Sequence, residues 1–171
     1  MARYVDLFEI IYFCSAGLLP ALVWLWFWLK EDSKRPEPRK LLILSFFLGA
    51  FSILAVLPIQ HFFQSLIVPG LLLLILWTGT EESLKYFVAR TVDFSQKDYN
   101  EPLDAMIYLV TVALGFAAFE NILFVVKSYA GGGLGLSMIT VTMRFLGATL
   151  VHVLSSASLG GMMAIAYCKD R

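Results

Sequence analysis

Apolar and polar positions in this chain are sorted into blocks. Five apolar runs, about 7–29, 41–57, 66–90, 103–126 and 136–167, are separated by short polar stretches. A helix needs about 20 apolar residues to cross a bilayer, so the blocks predict an all-α, polytopic transmembrane helix bundle of about five spans. One integral membrane domain then accounts for residues 1–171. The punctuation supports this division. Pro20 lies inside the first run and predicts a kink, because bilayer helices tolerate proline when neighbours supply partners. The second run stops near Pro58, and the stretch Gln60-His61-Phe62-Phe63-Gln64 reads as a tight connection, with His61 a structural loop residue. Pro69 suits the first turn of the third helix, and Glu101-Pro102 reads as the start of the fourth. Gly131-Gly132-Gly133 with Gly135 predicts a flexible turn. The fifth run is longer than a bilayer requires, so it must tilt, kink or protrude. The first run exceeds the roughly 7–15 residues of a signal-peptide core and reads as a permanent span. Trp24, Trp26 and Trp28 crowd its second end, as in an interfacial aromatic belt.

Composition agrees with this reading. The chain is 59% hydrophobic and 15% charged, with a mean hydropathy of +0.77, whereas a soluble domain is nearer half apolar and a quarter charged. A formal net charge of zero offers no global field for nucleic acid, so the expected surroundings are the lipid bilayer. The local charges are more informative. Lys30, Lys34, Arg35, Arg39, Lys40, Arg90, Lys97, Lys169 and Arg171 fall in the first loop, the third loop and the tail, against Arg3 and Lys127 on the other side. The positive-inside rule then puts the N-terminus outside and the C-terminus in the cytoplasm. Cys14 and Cys168 are isolated and show neither a disulfide framework nor a metal-binding spacing.

The third run carries an anomaly. After the apolar stretch from Leu66 to Trp77 it continues as Thr78-Gly79-Thr80-Glu81-Glu82-Ser83-Leu84-Lys85. One charge at a membrane-helix centre costs about 2.5–3.5 kcal/mol, and one leucine returns only about 0.3–0.6 kcal/mol. Counting from the span ends, Glu81 and Glu82, Glu120 and His152 lie at similar depth on three successive helices, joined by Lys85, Asn121 and Arg144. Glu81 and Lys85, four apart, share a face, while Glu82 is rotated by about 100°. Arg144, Ala148, His152 and Ser156 recur every four residues and form one stripe. Glu81–Lys85 also reads as a self-neutralising ion pair, Arg144 as a snorkelling residue, Asn121 as a helix–helix contact, and Lys127 as interfacial. Ser155, Ser156 and Ser158 lie near His152 without the support a serine triad needs. Two chemistries use such a set: hydrolysis by carboxylate-activated water, and ion or proton movement through a Glu/His relay. A soluble-type HExxH motif is absent, and a Glu/Glu/His metal site through Glu81, Glu120 and His152 is geometrically possible.

Glu81-Glu82-Ser83-Leu84-Lys85 (EExxK), Phe116-Ala117-Ala118-Phe119-Glu120-Asn121 (FxxxEN), and Arg144 followed by His152 together resemble the PrsW family of intramembrane proteases, within the CAAX-protease and bacteriocin-processing superfamily. The resemblance covers a catalytic core of about 71–161. It implies hydrolysis of a peptide bond in or beside the bilayer. By position, Glu81 would be the general base, with Glu82 supporting it through Lys85. Glu120 would stand where CAAX proteases carry a water-binding histidine, and His152 would hold the water or steady the oxyanion. Ser156 replaces the asparagine common in the superfamily, which weakens it as an oxyanion donor. The implied substrate is a membrane-embedded peptide or single-span protein, in the manner of site-1 proteases that clip an anti-sigma factor. A metal-free glutamate mechanism is favoured over a divalent metal such as zinc. The competing expectations are a small proton-coupled carrier and a catalytically inactive membrane binding protein.

Overall fold

The structure, a computed structural model, describes residues 6–31, 36–94, 99 and 101–169. Expectations that rest on Arg3, Lys34, Arg35, Lys97 and Arg171 fall outside these residues. All regular structure among the described residues is helical: α1 (Leu7–Glu31), α2 (Arg39–Ser65), α3 (Gly70–Val92), α4 (Asp104–Met143), a π-helical turn (Arg144–Ala148) and α5 (Thr149–Lys169). Among the described residues, three helical stretches are long and apolar enough to cross a membrane: Leu7–Lys30, Arg39–Ser65 and Asp104–Lys169.

The longest of these is not straight. At Gly132 (φ −154°, ψ 17°) and Gly133 (φ 67°, ψ −159°) the backbone leaves the helical region. Gly133 occupies a conformation reserved almost entirely for glycine. Beyond this break the chain runs back along itself: Asn121 meets Thr149, and nearer the far end Gly160 lies against Met106. The glycine cluster read as a flexible turn is thus the reversal between two antiparallel limbs, 104–131 and 134–169.

The first limb of α4 is the centre of the bundle and packs against every other helix. Its residues Tyr108 to Ala118 are all buried. A helix that is apolar all round belongs in a core, and the sequence here offers no polar face to expose. At one crossing, Gly49 of α2 and Gly115 of α4 face each other's helix so closely that a Cβ on either would enter the backbone of Val112 or Phe46. Small residues permit such approach between membrane helices. The opposite faces of the outer helices carry large apolar side chains to the surface, among them Phe47, Phe51, Leu71, Ile75 and Met143. A soluble monomer would not expose so much apolar surface.

Several boundaries differ from expectation. Helix α2 does not stop at Pro58 but runs through it to Ser65. A bilayer helix can absorb the one lost backbone bond. Gln60 and His61 are therefore helical, and the connection shifts to 66–69. Pro69 is the N-cap of α3, as its position suggested. Of the three tryptophans, Trp26 is exposed. Trp24 and Trp28 pack on the cluster containing Phe46, Val110 and Leu114, so they do not form a lipid-facing belt. Asp6 caps α1 reciprocally: Glu9 N–H donates to Asp6 Oδ1 at 2.7 Å and Asp6 N–H to Glu9 Oε2 at 3.3 Å. This is the capping-box arrangement.

Just beyond the end of α3, Asp93 is fully buried, accepts a hydrogen bond from the Ser45 hydroxyl of α2, and leaves Oδ2 without a partner among the described residues. Burial pushes its carboxyl up to about 7, with the Ser45 bond opposing the rise. The folded state therefore holds this proton through a range in which the unfolded chain releases it. Stability should fall as pH rises from about 4 to 7 and then level off. Melting temperature in detergent is expected to decline over that range in the wild type, and Asp93→Asn should flatten the decline. A variant as pH-dependent as the wild type would contradict this assignment.

Candidate active site

Three helices deliver the polar side chains to one level. On α3, consecutive glutamates diverge by about 100° and enter different surroundings. Glu81 turns toward α2, where Gln60 Nε2 donates to Glu81 Oε1 at 2.7 Å. Gln60 is anchored in turn, since Trp77 Nε1 donates to its backbone oxygen at 3.3 Å. Glu82 turns toward α5, where its Oε1 accepts from Lys85 Nζ at 2.7 Å and from Ser155 Oγ at 3.1 Å. Lys85 pairs with Glu82 at i,i+3. This is the pairing the family resemblance implied; it takes the place of the alternative Glu81–Lys85 pair, and Glu81 is left free of it.

Lys85 is fully buried. Its ammonium also lies 2.7 Å from His152 Nδ1 and 4.7 Å from the centre of the Phe116 ring. An ammonium has donors and no acceptor. Nδ1 must therefore accept, and the imidazole proton sits on Nε2. That nitrogen points at Glu120 Oε2, 3.2 Å away. Phe116 packs edge-on against the imidazole, with ring centres 5.4 Å apart, and holds its plane.

Glu120 is held from a second side. Arg144 Nη2 donates to Glu120 Oε2, Arg144 Nε donates to Asn121 Oδ1 at 2.6 Å, and Asn121 Nδ2 donates to Thr149 Oγ1 at 3.1 Å. Arg144 also stacks over Phe124 at 4.1 Å. It is thus a site-directed residue in this structure and does not snorkel. The π-helical turn explains how Arg144 and His152 both reach one carboxylate. Eight residues of α-helix would set them about 80° apart, whereas one extra residue absorbed in a π turn reduces this to about 20°. The stripe predicted from four-residue spacing therefore exists, but through an irregular turn.

Ser156, by contrast, joins nothing. Its hydroxyl is buried and has no hydrogen-bond partner among the described residues. Its neighbour Ser155 makes the contact to Glu82. Gln60 is the residue missed in the sequence. Its segment reads as a loop, and the signal it offers is a polar amide two residues past a proline that does not end the helix.

Glu81 and Glu120 line a cavity of about 470 Å³ between α2, α3 and α4, which Gln60, Gln64, Trp77 and Lys127 also border. One ligand atom from each of Glu81, Glu120 and His152 lies within 4.8 Å of the others. Two carboxylates and one imidazole are the donor types of a catalytic divalent-metal site, which uses three protein ligands and leaves a position for water; His152 would join it through Nε2 only with the proton moved to Nδ1, which reverses its hydrogen bond with Lys85. The same separation accommodates a bridging water.

Residues 37–171 match the family described as PrsW family intramembrane metalloprotease. The chain is 31% identical over 123 residues to Protease PrsW of Bacillus subtilis (strain 168), covering 66% of this chain and 53% of that protein. It is 33% identical over 120 residues to Protease PrsW of Oceanobacillus iheyensis, covering 67% and 54%. To Protease PrsW of Halalkalibacterium halodurans it is 26% identical over 131 residues, covering 75% and 61%. The chain spans about half the length of the first two of these relatives. No solved structure matches it.

Proposed function

The chain belongs to the PrsW family of intramembrane metalloproteases, a multi-pass membrane protein, and from that premise we propose that it is an endopeptidase hydrolysing a peptide bond of a membrane protein through water activated by Glu81. The observation that carries this reading is the convergence of Glu81, Glu120 and His152 to within 4.8 Å, beside a cavity large enough for a peptide segment. Family membership favours hydrolysis over the carrier and the inactive binder. The bundle crosses the membrane five times in this reading, with the N-terminus outside and the end bearing residues 66–69 and Gly132–Gly133 facing out. The substrate class is a membrane-embedded or single-span protein, an anti-sigma factor being the family's precedent.

Glu81 Oε takes a proton from water as the oxygen attacks the peptide carbonyl carbon. The carbonyl oxygen becomes an oxyanion, which would take the Nε2–H of His152 in place of Glu120 Oε2. Lys85 keeps that proton on Nε2 by donating to Nδ1. Collapse of the tetrahedral intermediate breaks the C–N bond, and the proton held on Glu81 passes to the leaving amine. Glu120, fixed by Arg144 and Asn121, positions the water. Glu81, Glu120 and His152 are also the residues that would hold a divalent metal such as zinc, which when bound supplies Lewis-acid polarisation of the carbonyl and a more acidic water.

The test is cleavage of single-span peptides in proteoliposomes by the wild type, Glu120→Gln and His152→Ala, with and without a chelator. Cleavage that survives chelation and is lost in the variants supports the glutamate route. Loss on chelation with recovery on added zinc assigns water activation to a metal on the same three residues. Full cleavage by both variants sinks the assignment of the site.

Gln60 orients Glu81 in this mechanism without touching the substrate bond. A hydrogen bond to a charged group contributes about 1.5–3 kcal/mol. Gln60→Leu should therefore lower kcat by about tenfold or more while leaving KM nearly unchanged. A variant in which KM rises and kcat holds would instead make Gln60 a substrate contact.

A further inference from the structure

The cavity is asymmetric in charge along its length. On α4 one stripe faces it: Phe116, Glu120, Leu123, Phe124 and Lys127. These positions follow helical i, i+4, i+7, i+8, i+11 spacing. Glu120 and Lys127 are seven residues apart, on nearly the same face, with about 10.5 Å between them along the axis. On α2, Gln60 and Gln64 climb in the same direction. The catalytic level is thus anionic where Glu81 faces the cavity, and the rim is cationic and amide-bearing. Arg144 and Lys85 are both engaged by carboxylates. Lys127 makes no hydrogen bond or ion pair among the described residues, so its ammonium is the cavity's one uncommitted cation among them.

We propose that Lys127, with Gln64 beside it, forms a specificity subsite for an acidic side chain of the substrate, on the outward side of the scissile bond. This deepens the protease reading and rests on it. An extended peptide advances about 3.3 Å per residue. With its scissile carbonyl at Glu81 and Glu120, it brings a residue roughly three positions away to the level of Lys127, and the reach of a lysine side chain widens this to two to four. At the catalytic level, an Asp or Glu of the substrate would meet the unneutralised Glu81 carboxylate. At the rim it would meet an unpaired ammonium. The charge gradient therefore fixes the register in which an acidic peptide binds. The cavity's apolar walls, such as Ile53 and Leu123, take the uncharged residues between.

The experiment uses the full chain in proteoliposomes and a library of synthetic single-span peptides with randomised residues next to the apolar segment. Products are identified by mass spectrometry. For the wild type, Asp and Glu should be enriched two to four residues from the cleaved bond. An acidic peptide should have a KM lower by about fivefold than its amide counterpart, the upper range for a partly exposed ion pair. Lys127→Glu should reverse the preference toward Lys and Arg at the same positions, and Lys127→Gln should abolish it. Equal cleavage of acidic and amide peptides by the wild type would overturn the subsite and leave the protease reading standing. A wild-type preference retained in Lys127→Glu would do the same. Absence of all cleavage by the wild type would overturn the protease reading, and the subsite with it.

Discussion

Glu81→Gln is expected to lower kcat by about 10²–10⁴-fold, the range for loss of a general base, with little change in KM or in melting temperature. The substitution is nearly isosteric, and the amide oxygen can still accept from Gln60 Nε2, which now lies 2.7 Å from Oε1. The side chain therefore stays in place but cannot take a proton from water. Glu82→Gln provides the contrast. Glu82 is committed to Lys85 and Ser155, so its loss should act first on stability and only indirectly on rate. Because the proposed mechanism uses Glu81, Glu120 and His152 as a unit, the double variant Glu81→Gln with His152→Ala should be scarcely slower than the worse single variant. If Glu81→Gln retained wild-type kcat while Glu82→Gln lost it, the two glutamates would exchange roles.

The second large effect is on stability. Lys85→Met keeps the volume of the side chain and removes its charge, leaving Glu82 Oε1 and His152 Nδ1 without the ammonium that now lies 2.7 Å from each. Removing one partner of a buried ion pair costs about 3–5 kcal/mol, and with the Glu82 side chain one-third exposed the lower end, about 3 kcal/mol, applies. For a chain of this size that corresponds to a fall in melting temperature of about 6–12 °C. Adding Glu82→Gln to the same chain should restore much of the loss, because the uncompensated carboxylate disappears. Thermal unfolding in detergent separates the outcomes. A single variant that melts with the wild type would show that Glu82 and His152 find other partners. The double variant also tests the tautomer argument: with Lys85 absent, Nδ1 no longer has to accept, and activity should stay low even where stability has recovered.

Much of the site was legible from residue type and depth alone. Glu81, Glu82, Lys85, Glu120 and His152 stand out because charge inside an apolar run is costly wherever it occurs, and counting from the span ends brings them to one level. Their partners were harder to read. Helical spacing left Glu81–Lys85 open beside the Glu82–Lys85 pair that the family resemblance implied; Lys85 takes Glu82 and, in addition, His152. Pro58 looked like a terminus, and that reading hid Gln60 in a loop. Arg144 reads two ways in the sequence, as a snorkelling residue and as a member of the His152 stripe, because nothing local announces the π turn that swings it onto Glu120. Ser156 sits on the predicted stripe and makes no hydrogen bond there.

The division has a physical basis. Hydropathy is additive along a short stretch, so the sequence by itself determined that this is a helical membrane protein, where its main helices lie, and that polar groups are buried within them. The family likeness of its three motifs was also readable there. Which side chain meets which is set by rotation about helix axes, at about 100° per residue. A single residue absorbed in the π turn, a helix continued through Pro58, or the reversal at Gly133 changes the face that a side chain presents. Only the tertiary structure decided that Gln60 holds Glu81, that Lys85 reaches His152 as well as Glu82, and that Arg144 and His152 meet on Glu120.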